Sequence, residues 1–151
     1  MNERMSTGAA PFEFLDDVTS DLCFVARGAT LPAVFAAAAE ALLDATVEQR
    51  ETLGSVELRQ LELVEPDLEL LLLRFLNELI YLRDAQALLL RPRELRVDAG
   101  SGEARLVAEL VGEHVDPARH HLLSDVKAAT AHGLALDREE DGFRATVTLD
   151  V

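Results

Sequence analysis

Oxygen ligands that suit a hard cation are concentrated at two places in this chain, one near its beginning and one at its end. Asp16-Asp17-Val18-Thr19-Ser20-Asp21 sets carboxylates and hydroxyls on consecutive residues just ahead of an apolar strand-like run. Carboxylates that converge on a turn are the ligands Ca2+ and Mg2+ prefer. The same residue types bond their own backbone in turns, so turn formation alone also accounts for the segment. At the other end, a strand running to the last residue brings the α-carboxylate of Val151 beside the side chain of Asp150. Two carboxylates that close repel, and one holds its proton unless a cation intervenes. A third carboxylate from Asp21 would complete an oxygen-rich site. Nothing in the sequence itself brings Asp21 to Asp150.

Other chemistry is sparse. The chain has no GxSxG, no HExxH, no phosphate-binding P-loop and no GxGxxG, so no nucleophile–base pair or nucleotide cradle announces itself. Its four histidines are too few and too poorly spaced for a zinc site. His120 and His121 are adjacent, and sequence neighbours rarely face one ion, so both read as loop or surface residues.

The elements that must position these residues follow from periodicity. Asp21 to Arg27 reads as a strand ended by Gly28, and Thr30 is placed to cap a helix. Leu31, Val34, Phe35, Ala38 and Leu42 then form one apolar stripe. Val56 to Leu63 reads as a strand in which Val56 and Leu58 fall out of phase with Leu61 and Leu63, and a bulge near Arg59 would absorb the slip. A second helix follows Pro66 with Asp67 as its cap. Leu68, Leu71, Leu72, Phe75, Leu76 and Leu79 form its stripe, while Leu70, Leu73 and Ile80 spill onto other faces, so burial on most sides is expected. From residue 88 the period becomes two. Gly100-Ser101-Gly102 turns one hairpin, a strand runs from Val126 to about Leu136, and Glu140-Asp141-Gly142 turns into the last strand. There Phe143, Ala145, Val147, Leu149 and Val151 face inward, and Arg144, Thr146, Thr148 and Asp150 face out. The sum is a single α+β domain over residues 12–151. Its sheet is mixed or antiparallel, with two main helices packed on one face, behind a flexible tail at residues 1–11.

Composition agrees. At 151 residues and 49% hydrophobic, the chain fills one core, made mostly of Leu, Val and Ala because it has six Phe, one Tyr and no Trp. Its one cysteine, Cys23, excludes an internal disulfide and suits a reducing compartment. A polar start and the absence of any apolar run near the roughly 18 residues of a membrane span lead us to expect a soluble cytoplasmic domain. The net charge of −14 opposes direct binding of a nucleic-acid backbone. It suits a basic protein partner or a cation, and solubility alone would also explain it.

Several segments, taken in order, resemble the archease family from Phe12 to Val151. Phe12-Glu13-Phe14-Leu15-Asp16-Asp17-Val18-Thr19-Ser20-Asp21 is similar to the family's aromatic opening and DHTAD-type motif. Thr30-Leu31-Pro32-Ala33-Val34-Phe35 resembles its TLEEAF-like helix start. Leu71-Leu72 through Phe75-Leu76-Asn77-Glu78-Leu79-Ile80-Tyr81-Leu82 matches an LLxxxLNELxYL pattern, and Asp116-Pro117-Ala118-Arg119-His120 a DPxxH segment. Asp125-Val126-Lys127-Ala128-Ala129-Thr130-Ala131-His132-Gly133-Leu134 resembles an EVKAxTYHGL strand, and Asp150-Val151 the usual ending. Each motif alone is weak; six in order at the right spacing are specific.

The resemblance implies a non-enzymatic, metal-binding protein that activates an RtcB-type RNA ligase in tRNA splicing and RNA repair. It would promote the ligase's guanylylated-histidine intermediate and multiple turnover. The implied cation, Ca2+ with Mg2+ as the alternative, maps onto Asp21, Asp150 and the terminal carboxylate of Val151. Lys127 and His132 map onto the family's other marked motif as ligase-activation residues. Strict alternation puts these two on opposite faces, so they share a site only across a bulge. Otherwise His132 is a bonded core histidine and Lys127 a solvated strand residue. Val18 and Ala131 replace the usual His and Tyr, and Cys23 falls near a common glycine. Two other classes fit the same residues: a metal-dependent hydrolase or phosphoryl-transfer enzyme, and a general chaperone or scaffold. The first lacks a general base and a basic cluster for substrate.

Overall fold

The computed structural model describes residues 11–15, 21–123 and 125–151; residues 1–10, 16–20 and 124 lie outside the description. Most of the expected tail, and the acidic run up to Ser20, therefore fall outside it. Pro11, assigned to that tail, instead accepts a 2.6 Å bond from the N–H of Arg27.

Both helices begin where their caps predict. The Thr30 side chain accepts a hydrogen bond from the Ala33 N–H, 3.2 Å away, and opens α1 (Leu31–Thr46). Pro32 in the first turn removes no internal bond. Phe35, Ala38 and Leu42 are buried as the stripe requires, and Ala37, Ala39 and Ala41 are buried as well. Asp67 accepts from Leu70 N–H at 2.9 Å and opens α2 (Leu68–Gln86). Here burial is one-sided: Leu71, Leu72, Phe75, Leu76, Leu79 and Ile80 are buried, whereas Leu70 and Tyr81 are exposed by 40% and 59%. The helix turns its outer side to solvent, contrary to burial on most sides.

The strands are β1 (Phe12–Leu15), β2 (Asp21–Gly28), β3 (Glu57–Glu65), β4 (Leu88–Gly100), β5 (Glu103–His114), β6 (Ala128–Glu139) and β7 (Gly142–Asp150). Every pairing is antiparallel. The strands form two sheets rather than the one expected, in the orders β1-β2-β7-β6 and β3-β5-β4. The helices join them. Helix α1 packs on β2 and β7 of one sheet and β4 of the other, and α2 packs on β6 of the first and β3, β4 and β5 of the second. One apolar cluster runs through both sheets and both helices. The α+β single-domain reading therefore holds, with the helices facing two sheets.

The bulge expected near Arg59 is absent. The β3–β5 register runs unbroken from Glu57 to Glu65, and Val56 and Leu58 simply face solvent, exposed by 78% and 47%. An irregularity falls in β4 between Pro92 and Glu94, because proline has no N–H to give the ladder.

Strand β6 lies at a sheet edge, where every second residue would leave its N–H and C=O unpaired. Helix α2 supplies the partners. The Asn77 amide accepts from Ala129 N–H at 2.9 Å and donates to Ala129 C=O at 3.0 Å. A Glu69 carboxylate oxygen accepts from Leu136 N–H at 3.0 Å, and Arg83 donates to Val126 C=O.

The β6–β7 hairpin closes on Glu140-Asp141, with Glu139 paired to Gly142. Gly142 has φ +147, and a Cβ there would sit 2.3 Å from the Gly28 oxygen. Gly142→Ala combines backbone strain with a clash against β2, so we expect a loss of about 1–3 kcal/mol. For a domain of this size that lowers the melting temperature by roughly 2–10 °C in calorimetry; an unchanged melting temperature would contradict the geometry.

Candidate functional site

Strand β7 is flanked on both sides, and its last residues make a corner. On one side β2 sets Asp21 directly opposite Asp150; on the other β6 sets Ala128 opposite the same residue. The Lys127 N–H adds a 2.8 Å bond to the Asp150 carbonyl. Directly opposed residues point to one face, with Cβ atoms about 4.5–5.5 Å apart. Both aspartates are half-buried. Two like charges so placed destabilise the pairing unless a counterion lies between them. The half-buried side chain of Val151 packs against the core, which leaves its main-chain end at the strand terminus beside Asp150.

The sequence named three ligands, Asp21, Asp150 and Val151, and the register brings the two side chains together. Among the described residues no group of three or more His, Cys, Asp or Glu side chains is placed to hold a metal. A cation at this corner would need oxygen ligands beyond these two side chains to complete its shell. Asp16 and Asp17 lie outside the described residues. Two opposed carboxylates in half-buried surroundings suit a hard cation in charge and donor type.

Lys127 and His132 are both exposed. Lys127 immediately precedes β6. In β6, Thr130 pairs with Thr148 and Ala135 with Thr146, so residues 131–134 bulge out opposite Val147. Gly133, at φ +68, supplies the left-handed backbone this needs. The His132 N–H lies 3.4 Å from the Thr130 hydroxyl, which itself donates to the Thr148 carbonyl at 3.2 Å. A bulge of the kind Lys127 and His132 would need to share a site is thus present, and His132 is exposed rather than a core histidine. Thr148, expected to face solvent, is buried beneath this irregularity. Among the described residues neither the Lys127 nor the His132 side chain has an ion-pair or hydrogen-bond partner.

Sequence reasoning missed a second polar cluster. His120, expected in a loop or on the surface, has a side chain only 2% exposed, while His121 is exposed and lies 2.6 Å from Glu48. His120 Nδ1 accepts from Asp116 N–H at 2.8 Å, which puts the ring proton on Nε2, 3.4 Å from Glu113. The nearly buried Glu113 carboxylate also accepts from Gly54 N–H at 2.5 Å and pairs with Arg119. The Gly54 N–H first, then Arg119 and His120, hold the Glu113 carboxyl below the usual glutamate range against the opposing effect of burial. Glu113, near the end of β5, is not among the residues that the sequence singled out. The loop around Gly54, together with Arg119 and His120, closes over its carboxylate.

Comparison with known proteins agrees with this architecture. The family model of the archease protein family (MTH1598/TM1083) matches residues 12–151. The archease of Methanosarcina barkeri is 33% identical over 150 residues, covering 97% of this chain and 100% of that protein. That of Pyrococcus furiosus is 36% identical over 124 residues, covering 82% and 87%. The solution structure of protein 1598 of Methanobacterium thermoautotrophicum superposes with a TM-score of 0.81 at 29% identity, covering 95% of this chain and 100% of that one. A Thermotoga maritima protein described as an archease and possible chaperone has a TM-score of 0.52 at 16% identity, a likeness of fold alone.

A carboxyl held low in the folded state stabilises above its unfolded pKa, and the contribution is lost as pH falls through the folded value. Glu113→Gln should therefore lower the melting temperature at neutral pH. Below about pH 4.3, the unfolded glutamate value, the difference from the parent should shrink steadily with further acidification. Melting curves across pH check this, and a constant gap would exclude ionised Glu113 as the cause.

Proposed function

This chain belongs to the archease family, and from that premise we propose that it is a metal-binding protein cofactor of an RtcB-type RNA ligase. In this reading it promotes guanylylation of the ligase and its multiple turnover during tRNA splicing and RNA repair, and performs no ligation itself. The observation that carries the proposal is the direct cross-strand pairing of Asp21 with Asp150 at the end of the central strand. Asp21, Asp150 and the α-carboxylate of Val151 would hold a divalent cation, Ca2+ or Mg2+. The bound ion would supply the positive charge that lets these carboxylates stand together and so fix the corner's shape. Lys127, exposed beside that corner, and His132, exposed on the β6 bulge, are the residues offered to the ligase.

Charge favours a protein partner over RNA. The chain carries −14, and many of its arginines already face carboxylates, as in Arg27–Glu13, Arg74–Glu65 and Arg93–Glu109. A basic patch able to release phosphate counterions is hard to assemble from what remains. No helix of the described residues is long and apolar enough to cross a membrane.

Guanylylation of a purified RtcB-type ligase, with and without this protein, tests the reading, and unchanged ligase turnover at every protein concentration would overturn it. Asp21→Asn, Asp150→Asn and a tail appended after Val151 each remove one ligand charge. Because hard-cation affinity follows ligand charge, each should weaken Ca2+ binding, by roughly tenfold or more. Each should also reduce ligase activation. Metal-free melting temperatures should hold or rise slightly as carboxylate repulsion is relieved. A tailed protein that binds Ca2+ and activates like the parent would remove Val151 from the site.

The isolated protein should bind single-stranded RNA poorly. A micromolar complex at physiological salt, seen in a polarisation titration, would contradict the charge argument.

A further inference from the structure

We infer that Asn77 is a positioning residue for Lys127, an inference that rests on Lys127 acting on the ligase. Lys127 is the only lysine in the chain. Its side chain is exposed and has no partner among the described residues, so the backbone sets the point from which its flexible stem and ammonium reach out. That backbone is held at three neighbouring points. The Lys127 N–H is bonded to the Asp150 carbonyl on β7. From α2, Arg83 holds the Val126 carbonyl and Asn77 holds both the N–H and the C=O of Ala129. Val126 and Ala129 are buried anchors, at 0% and 5% exposure, with Lys127 exposed between them.

The chemistry selects the amide. Ala129 turns both main-chain groups out from the sheet edge, and one short side chain must accept from the first and donate to the second. Asparagine carries an acceptor and a donor on one planar group; aspartate has no donor and leucine has neither. At Ala129 the sealing of the edge and the holding of the Lys127 backbone coincide. Glu69 seals the same edge at Leu136, on the far side of the bulge, where it has no bearing on Lys127. Asn77 bonds β6, whereas the two aspartate side chains are brought together by the pairing of β2 with β7.

The test is a double-mutant cycle read by ligase activation, with Ca2+ titration and amide exchange alongside. Asn77→Ala should speed exchange at Ala129 and cut ligase activation about tenfold, while Ca2+ affinity stays within about twofold, as expected for uncoupled sites. In a Lys127→Ala background Asn77→Ala should cause no further loss, since a residue that acts through Lys127 has nothing left to position. Glu69→Ala should speed exchange at Leu136 and leave activation intact. If Asn77→Ala does not fold, Asn77→Asp keeps the acceptor, removes the donor and carries the same cycle. Additive losses, or an equal loss from Glu69→Ala, would show that Asn77 only closes the edge and would overturn the inference while leaving the ligase reading standing. A Lys127→Ala protein that activates like the parent would overturn the role of Lys127 first, and this inference with it.

Discussion

The central place of β7 governs the rest of the structure. It pairs with β2 along one side and β6 along the other, and Ala145, Val147 and Leu149 are fully buried beneath the helices. Side chains alternate with a strict period of two, so a one-residue slip would turn this apolar set to solvent and bury the residues between. The slip would also drive Asp150 toward the core. The hydrophobic register that stabilises the sheet therefore also places Asp150 on the outer face opposite Asp21. The candidate metal corner is a by-product of core packing, held by the most buried strand of its sheet.

Helices α1 and α2 solve the problem that two sheets create. Neither sheet covers the other's apolar face, and the helices fill the space between them, each touching strands of both. The alanine-rich face of α1 allows close approach to β2 and β4, while α2 brings leucine and phenylalanine bulk. Helix α2 also carries polar side chains along one flank, where Glu69, Asn77 and Arg83 satisfy main-chain groups of β6. An edge covered this way is not open to a further strand.

Charge is arranged with the same economy. Arginine provides thirteen of the fourteen basic residues, and its planar fork suits fixed pairs with carboxylates. Arg91 holds Glu40 through two bonds at 2.8 and 3.1 Å and also reaches the Arg50 carbonyl at 3.1 Å, tying α1 to β4 and the loop between. Glu113 with Arg119 and His120 ties the loop after β5 to Gly54. Most of these pairs are partly exposed and individually weak. Their effect is to fix loops, while the sole lysine has no ion-pair partner among the described residues and stands exposed beside the carboxylate corner.

Local signals were legible in the sequence wherever one residue type dictates one geometry. Thr30 and Asp67 fixed the helix starts through their side-chain oxygens, and the alternation from Phe143 to Val151 fixed which face of β7 is apolar. Glycine at 142 marked the last hairpin. Long-range pairing was not legible, because alternation reports which face is buried and not which strand lies alongside. Periodicity could not separate one sheet from two, and Val56 and Leu58, out of phase with Leu61 and Leu63, looked like a bulge when both merely face water. His120 read as a loop or surface residue because the sequence does not show that its ring folds back on Asp116 and Glu113, or that the distant Gly54 loop covers Glu113. For the carboxylate corner, the sequence determined the residue types and the parity that turns Asp150 outward. Only the tertiary structure brought Asp21 across from it, because antiparallel register depends on every apolar contact along β2 and β7 at once.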